Sequence, residues 1–191
     1  MNQLADLIQY FVEHCPGVGP TALVLYLYRA DLECRRYLGR PVADLEFILW
    51  NDGPLDSRIY AQLDRLCENG TVQLVETANG NGRNGCLLRA AAVTAFPPEE
   101  ALILGHIVED WRDKPLDELR DQIRQTTPMA DALRRNQPGS RLHMELVDGE
   151  ERIPGLELER MLHALEQLDR GEGLTFEQVR ARAGAAHSQT I

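Results

Sequence analysis

Three glycines in the middle of the chain have the spacing of a nucleotide-binding fingerprint. Gly80, Gly82 and Gly85 match Gly-x-Gly-x-x-Gly, the pattern that brings a backbone close to the pyrophosphate of a dinucleotide. That chemistry needs a helix directly after the glycines, because the amide groups of the helix N-terminus bind the phosphates. Here the following run ends at Pro97-Pro98, and asparagines alternate with the glycines, as in turns with positive φ angles. The pattern therefore favours a turn between two strands over a nucleotide site.

Other residues of the types used in catalysis lack a suitable neighbour. His14 and Cys15 are adjacent, so in a helix their side chains diverge and make a poor base and nucleophile. Adjacent carboxylates such as Glu99-Glu100 are typical of a solvated helix surface. The cysteines are widely spaced, without the Cys-x-x-Cys spacing of metal sites: Cys15, Cys34, Cys67 and Cys86. We therefore expect that the protein is not an enzyme and has no catalytic residue, metal site or cofactor.

The composition is that of a globular protein with one sizeable core, or with a core plus a small appendage. Of its 191 residues, 43% are hydrophobic and 26% are charged. The apolar run at 23–28 is far shorter than the roughly 20 residues that cross a bilayer, and the first residues lack the pattern of a secretory signal. We therefore expect a cytoplasmic location and no membrane partner. The net charge of −10, with no local concentration of cations, disfavours nucleic acid as a partner and favours a basic protein.

The stretch from Leu23 to Tyr60 organises the predicted fold. It begins as a helix that is apolar on nearly every side, which indicates a buried helix. Gly39 and Pro41 predict the end of this helix. A short apolar run at 47–50 favours a strand, and residues 51–54 then break it. Pro54 predicts the first turn of a further helix, which we expect to bury Ile59, Tyr60, Leu63 and Leu66.

The remaining patterns predict a mainly α (α+β) fold, a compact helical domain with a small β-hairpin wing at 71–88. The polar stretch 136–140 suggests a boundary, dividing the chain into a domain at 1–135 and an extension at 136–191. In the extension we expect a short hairpin at 142–149, a helix at 158–168, and a final helix with a capping box formed by Thr175 and Gln178. These helices either pack on the first domain or contact a partner.

The order of residues in the central stretch resembles that of a known family, the Panacea or SocA-like antitoxin domain. The matching positions are Leu27, Tyr28, Asp31, Gly39, Pro41, Val42, Phe47, Trp50, Gly53, Pro54, Leu55 and Tyr60. The segment 102–132 is similar to the second half of that domain, so the resemblance covers roughly residues 4–135. The chain departs from the family in the apolar start of the helix before Asp31 and in its whole C-terminal extension.

The resemblance implies a function without catalysis. It implies an antitoxin-like protein of a bacterial or phage toxin-antitoxin system, which binds and neutralises a toxin protein encoded next to it. Families of this kind act on diverse toxins, so the resemblance names no target. The acidic net charge is compatible with a basic toxin as partner.

Asp31 is the charged residue that the sequence singles out, because it follows an apolar helical turn. Arg35 lies at the i+4 position, which predicts a structural ion pair or a tie between helix and loop. The alternative is a partner-binding groove near Trp50. The residues predicted for that groove and its surroundings are Asp31, Arg40, Trp50, Asn51, Asp52, Gly53, Pro54 and Tyr60. Trp50 and Trp111 are more often core residues than binding anchors, although an exposed tryptophan is a favoured hot spot.

Two other functions stay open. Helix, helix and hairpin follow one another between Pro54 and Arg89, which is compatible with a winged-helix DNA-binding regulator. The acidic net charge and a hairpin tip with Arg83 as its one cation count against that function. The other is a phage-associated accessory protein.

Overall fold

The computed structural model describes residues 3–77, 84–89, 95–147 and 158–169. The helices in these ranges are α1 (Gln3–His14), α2 (Pro20–Leu38), α3 (Ser57–Glu68), α4 (Pro98–Trp111), α5 (Leu116–Gln125), α6 (Thr127–Arg135) and α7 (Leu158–Asp169). Two antiparallel hairpins lie among them: β1 (Ile48–Trp50) with β2 (Gly53–Leu55), and β3 (Val72–Thr77) with β4 (Asn84–Arg89). The predicted mainly α, α+β fold class is confirmed. In the described ranges, no helix has the length and apolar character needed to cross a membrane.

Helix α2 lies at the centre of the fold and contacts α1, α4, α5 and β2. Leu23, Leu27 and Tyr28 have no solvent-exposed surface, as expected for a helix that is apolar all round. The helix ends at Gly39, which has a φ angle of 69° and donates its N–H to the carbonyl of Arg35. The predicted C-terminus of this helix is therefore confirmed.

Aromatic rings connect α2 to its neighbours. The ring of Tyr26 lies 5.1 Å from that of Phe11 in α1 and 5.3 Å from that of Trp111 in α4. Trp111 is only 1% exposed, so the expectation that it belongs to the core is confirmed. On another side of α2, the hydroxyl of Tyr28 lies 2.8 Å from that of Thr126, between α5 and α6. These contacts fix α2 against the N-terminal helix and the second half of the domain.

The hairpin β1–β2 replaces the helix start that the sequence predicted at residues 51–54. Asn51 and Asp52 both have positive φ angles, 45° and 60°, as in the tight two-residue turn that joins antiparallel strands. Pro54 lies in β2 opposite Leu49, and α3 begins only at Ser57. The prediction that Pro54 opens a helix is therefore wrong, because two consecutive left-handed residues turn the chain back on itself instead.

Residues 139–142 run along the free edge of β1. The N–H of Leu49 donates to the carbonyl of Ser140 over 2.9 Å, and the N–H of Leu142 donates to the carbonyl of Phe47 over 2.7 Å. Arg141 forms an antiparallel bridge with Ile48. The prediction that residues 142–147 form the first strand of a hairpin is therefore wrong, since Leu142 pairs with Phe47 instead and residues 143–147 form no strand. Residues 148 and 149 lie outside the described residues.

The other predicted elements are reproduced where the structure describes them. Strand β3 is followed by the antiparallel strand β4 and not by the helix that a nucleotide-binding fingerprint requires. Gly85 lies within β4 opposite Glu76, so the prediction that it belongs to the turn is wrong, whereas Gly80 and Gly82 lie outside the described residues. Helix α7 is present at the predicted place and contacts α4. The tip of the hairpin and the final helix predicted around Thr175 and Gln178 lie outside the described residues.

Candidate functional site

The structure brings together four of the predicted partner-binding residues, Trp50, Asn51, Asp52 and Gly53, in one tight turn. Side chains alternate along this stretch, so that Phe47 and Leu49 are buried while Trp50 is 52% exposed. Trp50 is thus a surface residue at the end of β1, in contrast to the core position that is more usual for tryptophan. An exposed indole on a short hairpin is a candidate contact for another protein.

The other predicted site residues lie elsewhere or are buried. Pro54 is buried in β2, and Asp31 has no exposed surface. Tyr60 is 40% exposed on α3, so the prediction that it is buried is wrong. Ile59, Leu63 and Leu66 form the buried side of α3. Tyr60 follows Ile59 directly, and because consecutive helical residues point about 100° apart, its side chain lies away from that side. Arg40, just beyond α2, instead contacts Glu100 of α4.

The carboxylate of Asp31 ties the end of α2 to the loop that follows it. Its Oδ1 accepts the N–H groups of Val42 and Ala43, each over 3.0 Å, and its Oδ2 lies 3.3 Å from Nη2 of Arg35. Burial raises the pKa of Asp31, while the hydrogen bonds from Ala43, Arg35 and Val42 act in the opposite direction. These contacts support the structural role that the sequence favoured.

A second buried carboxylate on α2, that of Glu33, escaped the sequence prediction. Glu33 has no exposed surface, and its Oε1 lies 2.9 Å from Nε of Arg29 and also contacts Arg36. The guanidinium of Arg29 in turn lies over the ring of Trp111, 5.8 Å from its centroid. The signal was present in the sequence, since charges at i+3 and i+4 spacing on a buried helix need partners of opposite sign.

Asp56 fixes the exit of the hairpin into α3. It is the N-cap of α3, and its carboxylate accepts the N–H groups of Arg58 over 2.9 Å and of Glu46 over 2.7 Å. The side chain of Arg58 donates to the same carboxylate. Burial acts to raise the pKa of Asp56, but the hydrogen bonds from Arg58 and Glu46 outweigh it and hold the pKa below its usual value.

We predict that Asp56→Asn lowers the free energy of unfolding by about 1 kcal/mol near neutral pH. A depressed native-state pKa stabilises the fold above the unfolded value of 3.8, and this contribution is lost as the pH falls through the native pKa. The difference between wild type and variant therefore shrinks in acid, which urea unfolding at several pH values measures. The same substitution at the exposed Asp117 is the control. A difference that stays constant with pH would contradict the assigned role.

A cleft of about 490 Å³ lies between the first turn of α1, residues 43–45 and α3. Arg58 and Arg65 line it, but the guanidinium of Arg58 is already bound to Asp56. A single exposed arginine selects no ligand class, so the cleft is a weaker candidate than the hairpin. Among the residues that the structure describes, no group of three His, Cys, Asp or Glu side chains is placed to hold a metal ion.

Comparisons of the chain with protein-family models, curated proteins and solved structures found no match. The candidate site therefore rests on the hairpin itself, an exposed tryptophan held by a tight turn and by the capped start of α3.

Proposed function

We propose that this chain is a non-enzymatic, antitoxin-like protein of the cytoplasm that binds and neutralises a toxin protein encoded beside it. The observation that carries the proposal is the 52% exposure of Trp50 in the stretch that resembles the Panacea domain. Large aromatic side chains that are exposed in the free protein are favoured as binding hot spots. The proposed partner contacts are Trp50, Asn51, Asp52 and Gly53.

The contacts that anchor the hairpin support the same function. Asn51 and Asp52 are held in the left-handed region by pairing between β1 and β2, and Asp56 anchors the chain where it leaves the hairpin. A side chain on a rigid element loses little conformational entropy on binding, so more of its contact energy contributes to affinity.

A growth assay tests the proposal. The open reading frame adjacent to this gene is induced in a bacterial host, alone and together with this chain. We expect the neighbour alone to stop growth and co-expression to restore it. A toxic neighbour that this chain fails to neutralise, or a harmless neighbour, would overturn the proposal. Expression of both proteins is checked by immunoblotting, so that rescue is not confused with loss of the toxin.

One observation favours a second function, that of a winged-helix DNA-binding regulator. Helix α3 is followed directly by the β3–β4 hairpin, and the two are in contact. The exposed side of α3 is not basic, however, since Arg65 is flanked by Asp64 and Glu68. Fluorescence anisotropy with duplex DNA at low salt distinguishes the two functions. Salt-sensitive binding to DNA would favour the regulator.

A further inference from the structure

We propose that residues 139–142 complete the partner-binding surface as a third strand, and that this surface takes a basic protein. The proposal rests on the proposed function and names the chemistry of the partner. We call the surface the outer sheet face and define it by the outward side chains of the three strands and by Gly53, the partner of Trp50: Glu46, Ile48, Trp50, Gly53, Leu55 and Arg141.

The third strand places these residues on one face. Ile48 lies opposite Leu55 of β2 on one side and opposite Arg141 on the other. Directly opposed residues of antiparallel strands point to the same side of a sheet, and their neighbours point to the other. Burial follows the same alternation, since Leu49 and Leu142 are buried whereas Arg141 is exposed.

Trp50 lies opposite a residue that has no side chain, because Gly53 is its partner in β2. On the other side of β1, the N–H of Leu49 donates to Ser140 while the N–H of Gly139 donates to the carbonyl of Leu49 over 2.7 Å, so regular pairing ends at Leu49. No side chain from β2 therefore covers the indole, in agreement with its 52% exposure.

Two turns lie next to the end of β1 that carries Trp50. The hairpin turn at residues 51–52 is one of them. The other is the turn at 137–140, in which Pro138 precedes Gly139 with a φ angle of 81° and the N–H of Ser140 donates to the carbonyl of Gln137 over 3.0 Å. Proline followed by a left-handed glycine is the arrangement of a type II turn. Residues 136–139 are exposed, so this turn adds preformed surface beside the indole.

The charges around the outer sheet face indicate the kind of partner. The cation of this face is Arg141. Its Nη2 lies 3.7 Å from Oε1 of Glu46, which balances the positive charge. Asp52 has no ion-pair partner among the described residues, and the chain as a whole carries a net charge of −10. The unbalanced charge beside Trp50 is therefore negative, which favours lysine or arginine around an apolar contact on the partner. It also disfavours a second copy of this chain, which would bring like charges together.

The test uses the purified product of the adjacent gene as the probe and titration calorimetry with the full chain as the readout. We expect Trp50→Ala to weaken binding by about 30-fold or more, as for a hot-spot residue. Asp52→Lys should weaken it by about tenfold and reduce its dependence on salt. Leu74→Ala is the matched control because Leu74 is also 52% exposed, but on β3, and we expect less than a twofold change.

A variant that keeps the indole tests its accessibility separately. The nearest atom to a Cβ added at Gly53 is the backbone oxygen of Trp50 at 3.8 Å, an ordinary contact. Gly53→Val therefore fits the hairpin and places a β-branched side chain beside Trp50. We expect it to weaken binding by about tenfold without changing the urea midpoint by more than the Leu74→Ala control does.

Hydrogen exchange of the complex tests the third strand. We expect residues 46–55 and 137–142 both to gain protection on binding, since the partner suppresses local opening of all three strands. Protection confined to 46–55 would overturn the role of the third strand. Unchanged binding of Trp50→Ala and Asp52→Lys to a probe that the wild type binds would overturn the surface while leaving the proposed function intact. Failure of the wild-type chain to bind or neutralise the probe would overturn both.

Discussion

Replacement of Glu33 by alanine is expected to lower the free energy of unfolding by about 3 to 5 kcal/mol. The side chain of Glu33 has no exposed surface, and that of its partner Arg36 is only 1% exposed. Without the carboxylate, the guanidinium of Arg36 keeps its positive charge in the interior but loses this counter-charge. Arg29 is less affected because its side chain is 15% exposed and lies over Trp111.

Urea unfolding followed by circular dichroism measures this change. Asp117→Ala is the matched control, because Asp117 and Arg120 also form an i,i+3 ion pair but are 90% and 45% exposed. We expect the control to change stability by about 0.5 kcal/mol or less. Glu33→Gln keeps the shape of the side chain and removes its charge. We expect its loss of unfolding free energy to lie between those of Glu33→Ala and Asp117→Ala. Equal effects of Glu33→Ala and Asp117→Ala on the free energy of unfolding would show that burial does not increase the contribution of the Glu33 contacts to stability.

Local signals in the sequence were sufficient to predict helices α2 and α7. The end of α2 at Gly39 follows from a residue type that adopts the left-handed conformation at low cost. The buried character of α2 follows from its continuous apolar run, and α7 follows from its regular apolar stripe. In each case the residues that determine the element lie within it or next to it, so a single sequence contains the information.

The β1–β2 hairpin differs from the prediction because two local signals compete in this stretch. Gly53-Pro54 predicts a helix start, whereas Asn51-Asp52 supplies the two left-handed residues of a hairpin turn. Pro54 is compatible with a strand at a position where its missing N–H is not needed. The exposure of Trp50 could be predicted only together with the hairpin, because the alternation of side chains along β1 places the indole on the outer side.

The third strand has no local signature. Residues 139–142 pair with 47–49, which are about ninety positions earlier in the chain, whereas the polar stretch 136–140 suggests only a domain boundary. Pro138 and Gly139 predict a turn from the sequence alone. The sequence does not show that this turn places residues 139–142 along the edge of β1. Of the outer sheet face, the sequence predicted Trp50 and Gly53 as partner-binding residues, whereas its construction from three strands required the tertiary structure.

Asp31→Ala is expected to lower the free energy of unfolding by about 3 kcal/mol. The substitution leaves the N–H groups of Val42 and Ala43 without their acceptor, and Val42 is only 1% exposed, so water does not replace the carboxylate there. Arg35 loses its partner as well. Asp31→Asn is the matched control, because an amide oxygen still accepts both N–H groups and only the charge is lost. We expect it to cost about 1 kcal/mol.

The same pair of variants distinguishes an effect of Asp31 on the stability of the whole domain from an effect on the position of the hairpin. Residues 42–46 lead directly into β1, so loss of the Asp31 contacts frees the segment that supports Trp50. Hydrogen exchange of Asp31→Ala should therefore show faster exchange at 42–49 than at 57–68, whereas Asp31→Asn should resemble the wild type at both. Equal acceleration in the two segments would mean that Asp31 stabilises the domain as a whole and has no particular role in holding the hairpin.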